Sequence, residues 1–124
     1  MWQYDRKLLP SAPILDVQIF AIDTRVQSIS LRAKLDTGAS TTVIPERLLT
    51  LLNLPPHDSV LTRSYDGSYH HSLVYRINLT FNGFDLRGIA CITARRDDAL
   101  LGRNVLTRFF ITLNWPNLAF DMKQ

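Results

Sequence analysis

The stretch Ser28-Ile29-Ser30-Leu31-Arg32-Ala33-Lys34-Leu35-Asp36-Thr37-Gly38-Ala39-Ser40 changes character two thirds of the way along. Up to Leu35 it alternates strictly. Ile29, Leu31, Ala33 and Leu35 share one face, and Ser28, Ser30, Arg32 and Lys34 share the other, the period-two pattern of a half-buried strand. Past Leu35 come five small or polar residues with a carboxylate at their head. A carboxylate just beyond a buried strand, in a turn where Gly38 lets backbone come close, can accept main-chain N–H bonds while facing a cleft. Asp and Gly also share turns for conformational reasons alone, so the triplet by itself specifies a turn and nothing more.

The alternation continues outward in both directions. Leu15, Val17 and Ile19 set an earlier strand. Leu73, Tyr75, Ile77, Leu79 and Phe81 set a later one, which Asn82-Gly83 turns into a partner strand over Phe84–Thr93. Two short helices are predicted. One follows Pro45, with Leu48, Leu49, Leu51 and Leu52 as its buried face, and is stopped by Pro55-Pro56. The other runs from Arg103 to Phe110, with Val105, Leu106, Phe109 and Phe110 on one side. Ile111–Asn114 and Leu118–Met122 read as two last strands around Trp115-Pro116-Asn117. No repeat or linker interrupts the 124 residues, so the expected fold is a single, mostly β domain, a closed or sandwiched sheet with two small helices.

Composition narrows the chemistry. Fourteen Lys and Arg against eleven Asp and Glu leave a net charge of only +3, and the basic residues are scattered and partly offset, as in Arg95-Arg96-Asp97-Asp98. That argues against nucleic-acid binding despite a pI near 9.4. The single cysteine, Cys91, excludes an internal disulfide or a cysteine-based zinc site, and His57, His70 and His71 lack helical metal-ligand spacing. No metal or cofactor is expected. No run of 18 apolar residues occurs, and Met1–Pro10 mixes Trp2 with Asp5, Arg6 and Lys7. The expectation is a soluble, cytoplasmic chain without a membrane segment. His70 and His71 read as solvated strand residues. Asn78-Leu79-Thr80 fits a glycosylation acceptor but reads as strand sequence.

A second motif changes the weight of the first. Ala99-Leu100-Leu101-Gly102-Arg103-Asn104-Val105-Leu106 places two apolar residues and a glycine at the start of a helix. Together the two motifs resemble the retropepsin-like aspartic proteases, single-lobed relatives of pepsin. The resemblance spans roughly Pro13 to Met122, leaving residues 1–12 as an N-terminal extension of one protease domain. It implies a closed acid-protease-like β-barrel lobe with one or two short helices, acting as a homodimer. By the same resemblance Asp36 is the catalytic aspartate, and the Thr37 hydroxyl reaches across to the partner lobe. Gly38, Ala39 and Ser40 complete the active-site turn and substrate floor, while Leu100, Leu101, Gly102 and Arg103 form the structural signature. Retroviral members often carry a second Asp where Ser40 stands, paired with the arginine after the later glycine. Arg103 is present here without that partner. Tyr65, Asp66, Gly67 and Ser68, within Arg63–Tyr69, sit where the substrate-covering flap belongs, although an ordinary surface hairpin fits the same residues.

The chemistry implied needs two carboxylates about one water, one acting as general base and the other, protonated, polarising the scissile carbonyl. No second Asp-Thr-Gly or Asp-Ser-Gly occurs, so a two-lobed single chain is excluded and the pair is expected at a two-fold axis. Like charges that close cannot both ionise, a known property of aspartic protease pairs, so activity is expected at acidic to mildly acidic pH. The substrate is expected to be a peptide or protein. A catalytically silent dimeric peptide-binding module of the same fold would carry the same signatures.

Overall fold

A computed structural model describes residues 1–8, 11–23, 27–64 and 66–124. In chain order the elements are β1 (Trp2–Gln3), β2 (Ile14–Ala21), β3 (Ser28–Leu35), β4 (Thr42–Pro45), α1 (Arg47–Leu51), β5 (Asp58–Arg63) and β6 (Tyr69–Phe81). There follow β7 (Phe84–Ala94), β8 (Ala99–Leu101), α2 (Arg103–Leu106), β9 (Phe110–Asn114) and β10 (Ala119–Lys123). The larger sheet runs β2-β3-β8-β4-β7-β6-β5, and an additional β2–β6 pairing closes its first six strands into a barrel, with β5 left outside on β6. Closure removes the exposed edges that an open sheet of this length would carry.

The inward positions of the alternating strands fill the barrel. Val17, Ile19, Ala33, Ile44, Ile77, Leu79, Ile89 and Leu101 are all at most 2% exposed. At roughly 25 cal/mol per Å² of apolar surface, each such Ile or Leu contributes on the order of 2 kcal/mol before chain entropy is set against it. The β6–β7 hairpin turns where expected, with Asn82 and Gly83 both at positive φ (46° and 83°), the left-handed pair that a two-residue turn requires. Farther along, the register slips between Ile77 and Leu79, where Gly88 (φ 65°) bulges out of β7. The bulge turns Asn78 inward. Its side-chain oxygen accepts from Gly88 N–H at 3.0 Å and its amide donates to the Ile22 carbonyl at 3.2 Å, so this asparagine is an internal strut.

Four expectations from the sequence need correction. Leu51 is 47% exposed, because α1 is little more than one turn and packs through Leu48 and Leu52, leaving Leu51 on the opposite flank. Pro45 ends β4 instead of opening that helix, paired in register with Ala94. Phe110 is 76% exposed and begins β9, because α2 ends at Leu106 in tight turns, Arg108 N–H to Val105 O and Phe109 N–H to Leu106 O. Leu73 is also exposed, since that part of β6 extends beyond the barrel and pairs only with β5.

The N-terminal strand folds back on the barrel. β1 joins β10 antiparallel, and β10 joins β9, in a second, three-stranded sheet. Trp2 stacks on Phe120 with ring centroids 5.4 Å apart, and Tyr4 meets Trp115 edge-on at 4.6 Å. Asp5 pairs with Arg32 on β3. The Tyr4 hydroxyl is buried without a hydrogen-bond partner among the described residues, and burial raises its pKa above the ordinary phenol value.

Candidate active site

Asp36 is the first residue past β3. Its N–H donates to the Leu101 carbonyl at 3.0 Å and the Leu35 N–H to the Pro13 carbonyl at 3.1 Å, so β8 and the start of β2 fix the backbone that carries the carboxylate. The turn then closes on itself. Ala39 N–H donates to the Asp36 carbonyl at 3.2 Å, and Gly38 N–H donates to Asp36 Oδ1 at 3.0 Å. A Cβ at position 38 would lie 3.2 Å from that same oxygen, a tight fit that glycine avoids. The result is a half-buried carboxylate held by a main-chain donor on the floor of an open cleft of about 590 Å³. Gly38, Ala39, Val43 and Leu100 line the cleft beside Asp36, together with Arg63, which ends β5, and Ser64 after it. Asp36 is the one acid among the described residues that line it.

The second motif is the brace of the first. Gly102 is buried against the chain entering β4: a Cβ there would stand 2.6 Å from the Thr41 carbonyl carbon and 2.9 Å from the Thr42 nitrogen, both backbone atoms that cannot swing aside. Arg103 N–H donates to the Ala39 carbonyl at 2.8 Å, and Asn104 N–H to the Ser40 carbonyl at 3.3 Å. Having no carboxylate at Ser40 to pair with, the Arg103 guanidinium donates to the Thr37 carbonyl at 2.8 Å, tying the turn down through its backbone. Thr37 itself is exposed and borders a separate apolar pocket of about 370 Å³.

Two supporting residues, Thr42 and Asn104, had no role assigned from sequence, although Asn104 stands inside the second motif. The buried Thr42 hydroxyl accepts from Gly102 N–H at 3.1 Å and donates to Asn104 Oδ1 at 2.9 Å, an oxygen that also receives the Thr42 N–H at 3.0 Å. Asn104 Nδ2 then donates to the Ala90 carbonyl on β7 at 2.8 Å. Every polar atom in this chain of bonds is used, which rigidifies the junction of β4, β8 and α2 under the cleft. The available signal was a threonine opening an otherwise apolar strand, Thr42-Val43-Ile44-Pro45.

The hairpin forms as expected. β5 pairs with β6 from Asp58↔Val74 to Arg63↔Tyr69, and Ser64 N–H donates to the Ser68 carbonyl at 2.8 Å to close the turn. Gly67 takes φ 86°. Asp66 Oδ1 accepts from the Ser68 hydroxyl at 2.6 Å and the Ser68 N–H at 2.9 Å, bonds that hold its pKa below the ordinary carboxylate value. Tyr65 lies outside the described residues. His70 and His71 are exposed strand residues, with His70 Nε2 3.1 Å from the Ser68 hydroxyl.

Other chemistries find no footing among the described residues. Cys91 is fully buried, and burial pushes its thiol up to about 12. No group of three or more His, Cys, Asp or Glu is placed to hold a metal among those residues. No helix is long and apolar enough to cross a membrane.

The same architecture recurs in solved proteases. The chain superposes on an EIAV protease bound to the inhibitor HBY-793 with a TM-score of 0.59 and 21% identity, covering 78% of this chain and 86% of that one. A retropepsin-like aspartic protease from Rickettsia conorii gives 0.61 at 17% identity, covering 91% and 82%. The retroviral protease-like domain of Ddi1 from Leishmania major gives 0.52 at 12%, covering 88% and 87%. At these identities the likeness is one of fold. No curated protein matches by sequence. The model of the family described as "gag-polyprotein putative aspartyl protease" matches residues 22–108, across both motifs and the hairpin between them, and the chain belongs to that retropepsin-like aspartic protease family.

Proposed function

We propose that the protein is an aspartic endopeptidase whose catalytic centre forms between two copies of the chain. The observation that carries this reading is the Asp36 carboxylate, braced by Gly38 N–H on the floor of a 590 Å³ cleft that contains no second acid among the described residues. One carboxylate can hold a water but cannot both deprotonate it and protonate the carbonyl. Two copies can. One Asp36 takes the water proton as its oxygen attacks the scissile carbonyl carbon, and the other, protonated, donates to the carbonyl oxygen. Collapse of the tetrahedral intermediate breaks the C–N bond as the amine gains a proton.

The surface beside the cleft supports the dimer. β9 ends the three-stranded sheet, leaving its outer edge unpaired. Phe110, Leu113 and Trp115 are 76%, 41% and 48% exposed along it. Leu8, Pro13, Ile111, Leu113 and Trp115 wall the 370 Å³ apolar pocket that reaches Thr37, next to the catalytic carboxylate. A free edge and an apolar pocket that adjoin the half-site are what a second copy would cover.

The test is hydrolysis of a peptide library across a pH range by the wild-type protein and by Asp36→Asn. The amide can neither take nor share the proton, so the variant is expected to remain folded and dimeric and to lose at least about 10³-fold in kcat. Cleavage by the variant near the wild-type rate would refute the assignment. Peptide binding without cleavage by either form would leave a binding module of the same fold.

A further inference from the structure

We propose that Arg63 makes the cleft selective for peptides with an acidic side chain near the scissile bond, on both sides of it. The proposal deepens the proteolytic reading and rests on it for the position of that bond.

Arg63 closes β5 and lines the same cleft as Asp36. Its side chain does not extend away from the hairpin. The guanidinium carbon lies 5.9 Å from the centroid of the Tyr69 ring, its register partner, and Nη2 comes within 3.9 Å of where a Cβ on Gly67 would stand. Stacking on a ring face positions a guanidinium without using its N–H donors, which stay available as a fork that fits a carboxylate. No carboxylate among the described residues is within ion-pair distance of it. Asp66, three residues on, has its Oδ1 turned back to the Ser68 hydroxyl and N–H. Arg63 is thus a pre-positioned cation on the wall of a site whose floor supplies no competing partner beyond the catalytic pair.

The surroundings define the rest of the preference. In an antiparallel ladder, alternate residues share a face, so Leu61 and, directly across from it, His71, flanked by Tyr69 and Leu73, lie on the Arg63 side of the hairpin. Of these, Leu61, Tyr69 and Leu73 carry the apolar surface. They are 58%, 60% and 52% exposed. Arg63, on a face shared by Leu61, Tyr69, Leu73 and the imidazole of His71, accepts an acidic side chain, repels a basic one, and gives a neutral one no compensation for desolvating the guanidinium. A carboxylate pair sharing one proton would repel an acidic substrate, and Arg63 offsets that repulsion. The two-fold axis of the dimer places one Arg63 toward each end of the cleft, so the preference is symmetric about the cleaved bond.

The experiment compares matched peptides carrying Glu, Gln or Lys at each of three positions on either side of the cleaved bond, with wild type and Arg63→Glu. Ratios between peptides on one protein sample cancel any loss of folded enzyme. Wild type is expected to favour Glu over Gln over Lys in kcat/KM at symmetry-related positions, by roughly 3- to 10-fold overall, and Arg63→Glu to reverse the order. A flat response in wild type, or a preference that persists in Arg63→Glu, would overturn the proposal and leave the protease assignment standing. Binding of the same labelled peptides to Asp36→Asn, measured by fluorescence anisotropy, provides a readout independent of hydrolysis. A Glu preference abolished by adding Arg63→Glu to that background supports the proposal even if no peptide is cut. Equal binding of all three overturns it.

Discussion

Gly102 and Asp36 lie 66 positions apart in the chain yet act nearly as one unit, since the first holds up the strand entrance beside which the second sits. Gly102 is extended, at φ −83° and ψ 178°, so its need for glycine is one of space and not of backbone conformation. Gly102→Ala drives a methyl into the Thr41–Thr42 backbone, 2.6 Å from the carbonyl carbon. The expected cost is about 3 kcal/mol, lowering Tm by roughly 10 °C in a calorimetric scan, and a change of under 2 °C would show that the junction yields easily. Both residues were legible because each belongs to a short motif with a fixed neighbour order. Thr42 and Asn104 were not, because their partnership spans 62 positions and leaves no local pattern. The same holds for Arg103: its presence was evident, but its bond to the Thr37 carbonyl depends on what Ser40 cannot offer.

At the scale of elements, strands were read better than helices. Ser28–Leu35 has the same limits in sequence and structure, because a half-buried strand stamps its period on every second residue. α1 and α2 have five and four residues, too few for a 3.6-residue period to show which leucine or phenylalanine faces inward. The β5–β6 hairpin has a mechanical character that its sequence did not reveal. β6 is one continuous strand of 13 residues, anchored in the barrel from Tyr75 to Phe81 and projecting beyond it toward Tyr69. Beyond Val74 the ribbon is two strands wide, an arrangement of marginal stability by itself. Hydrogen exchange is therefore expected to be fast over residues 58–73 in the free protein. It should slow by at least about tenfold when a statine-type inhibitor, whose hydroxyl stands in for the attacking water, occupies the cleft. Tight inhibitor binding with unchanged exchange there would make the segment a surface hairpin and not a cover.

For the whole molecule, the proposed two-copy mechanism makes activity depend on association. Specific activity is expected to fall on dilution, with rate proportional to the square of protein concentration well below the dimer dissociation constant. Leu113→Asp puts a charge on the exposed β9 edge and into the apolar pocket, and should weaken the dimer about tenfold or more in sedimentation equilibrium. Because Leu113 is 41% exposed, the monomer should keep its fold by circular dichroism, and an unaltered dimer would place the interface elsewhere. The barrel itself was foreseeable from alternating strands and two motifs, but its closure through β2 and β6, sixty residues apart, was not written in any local period. The docking of β1 beside β10 carries one more implication. Trp2 lies opposite Phe120, which leaves Met1 and Gln124 separated by about three residues of strand, roughly 10 Å. The first and last strands of this domain are thereby neighbours. A short bridge would join their ends, and a circularly permuted chain opened at the solvent-facing Asn82–Gly83 turn would present the same barrel with a different first residue.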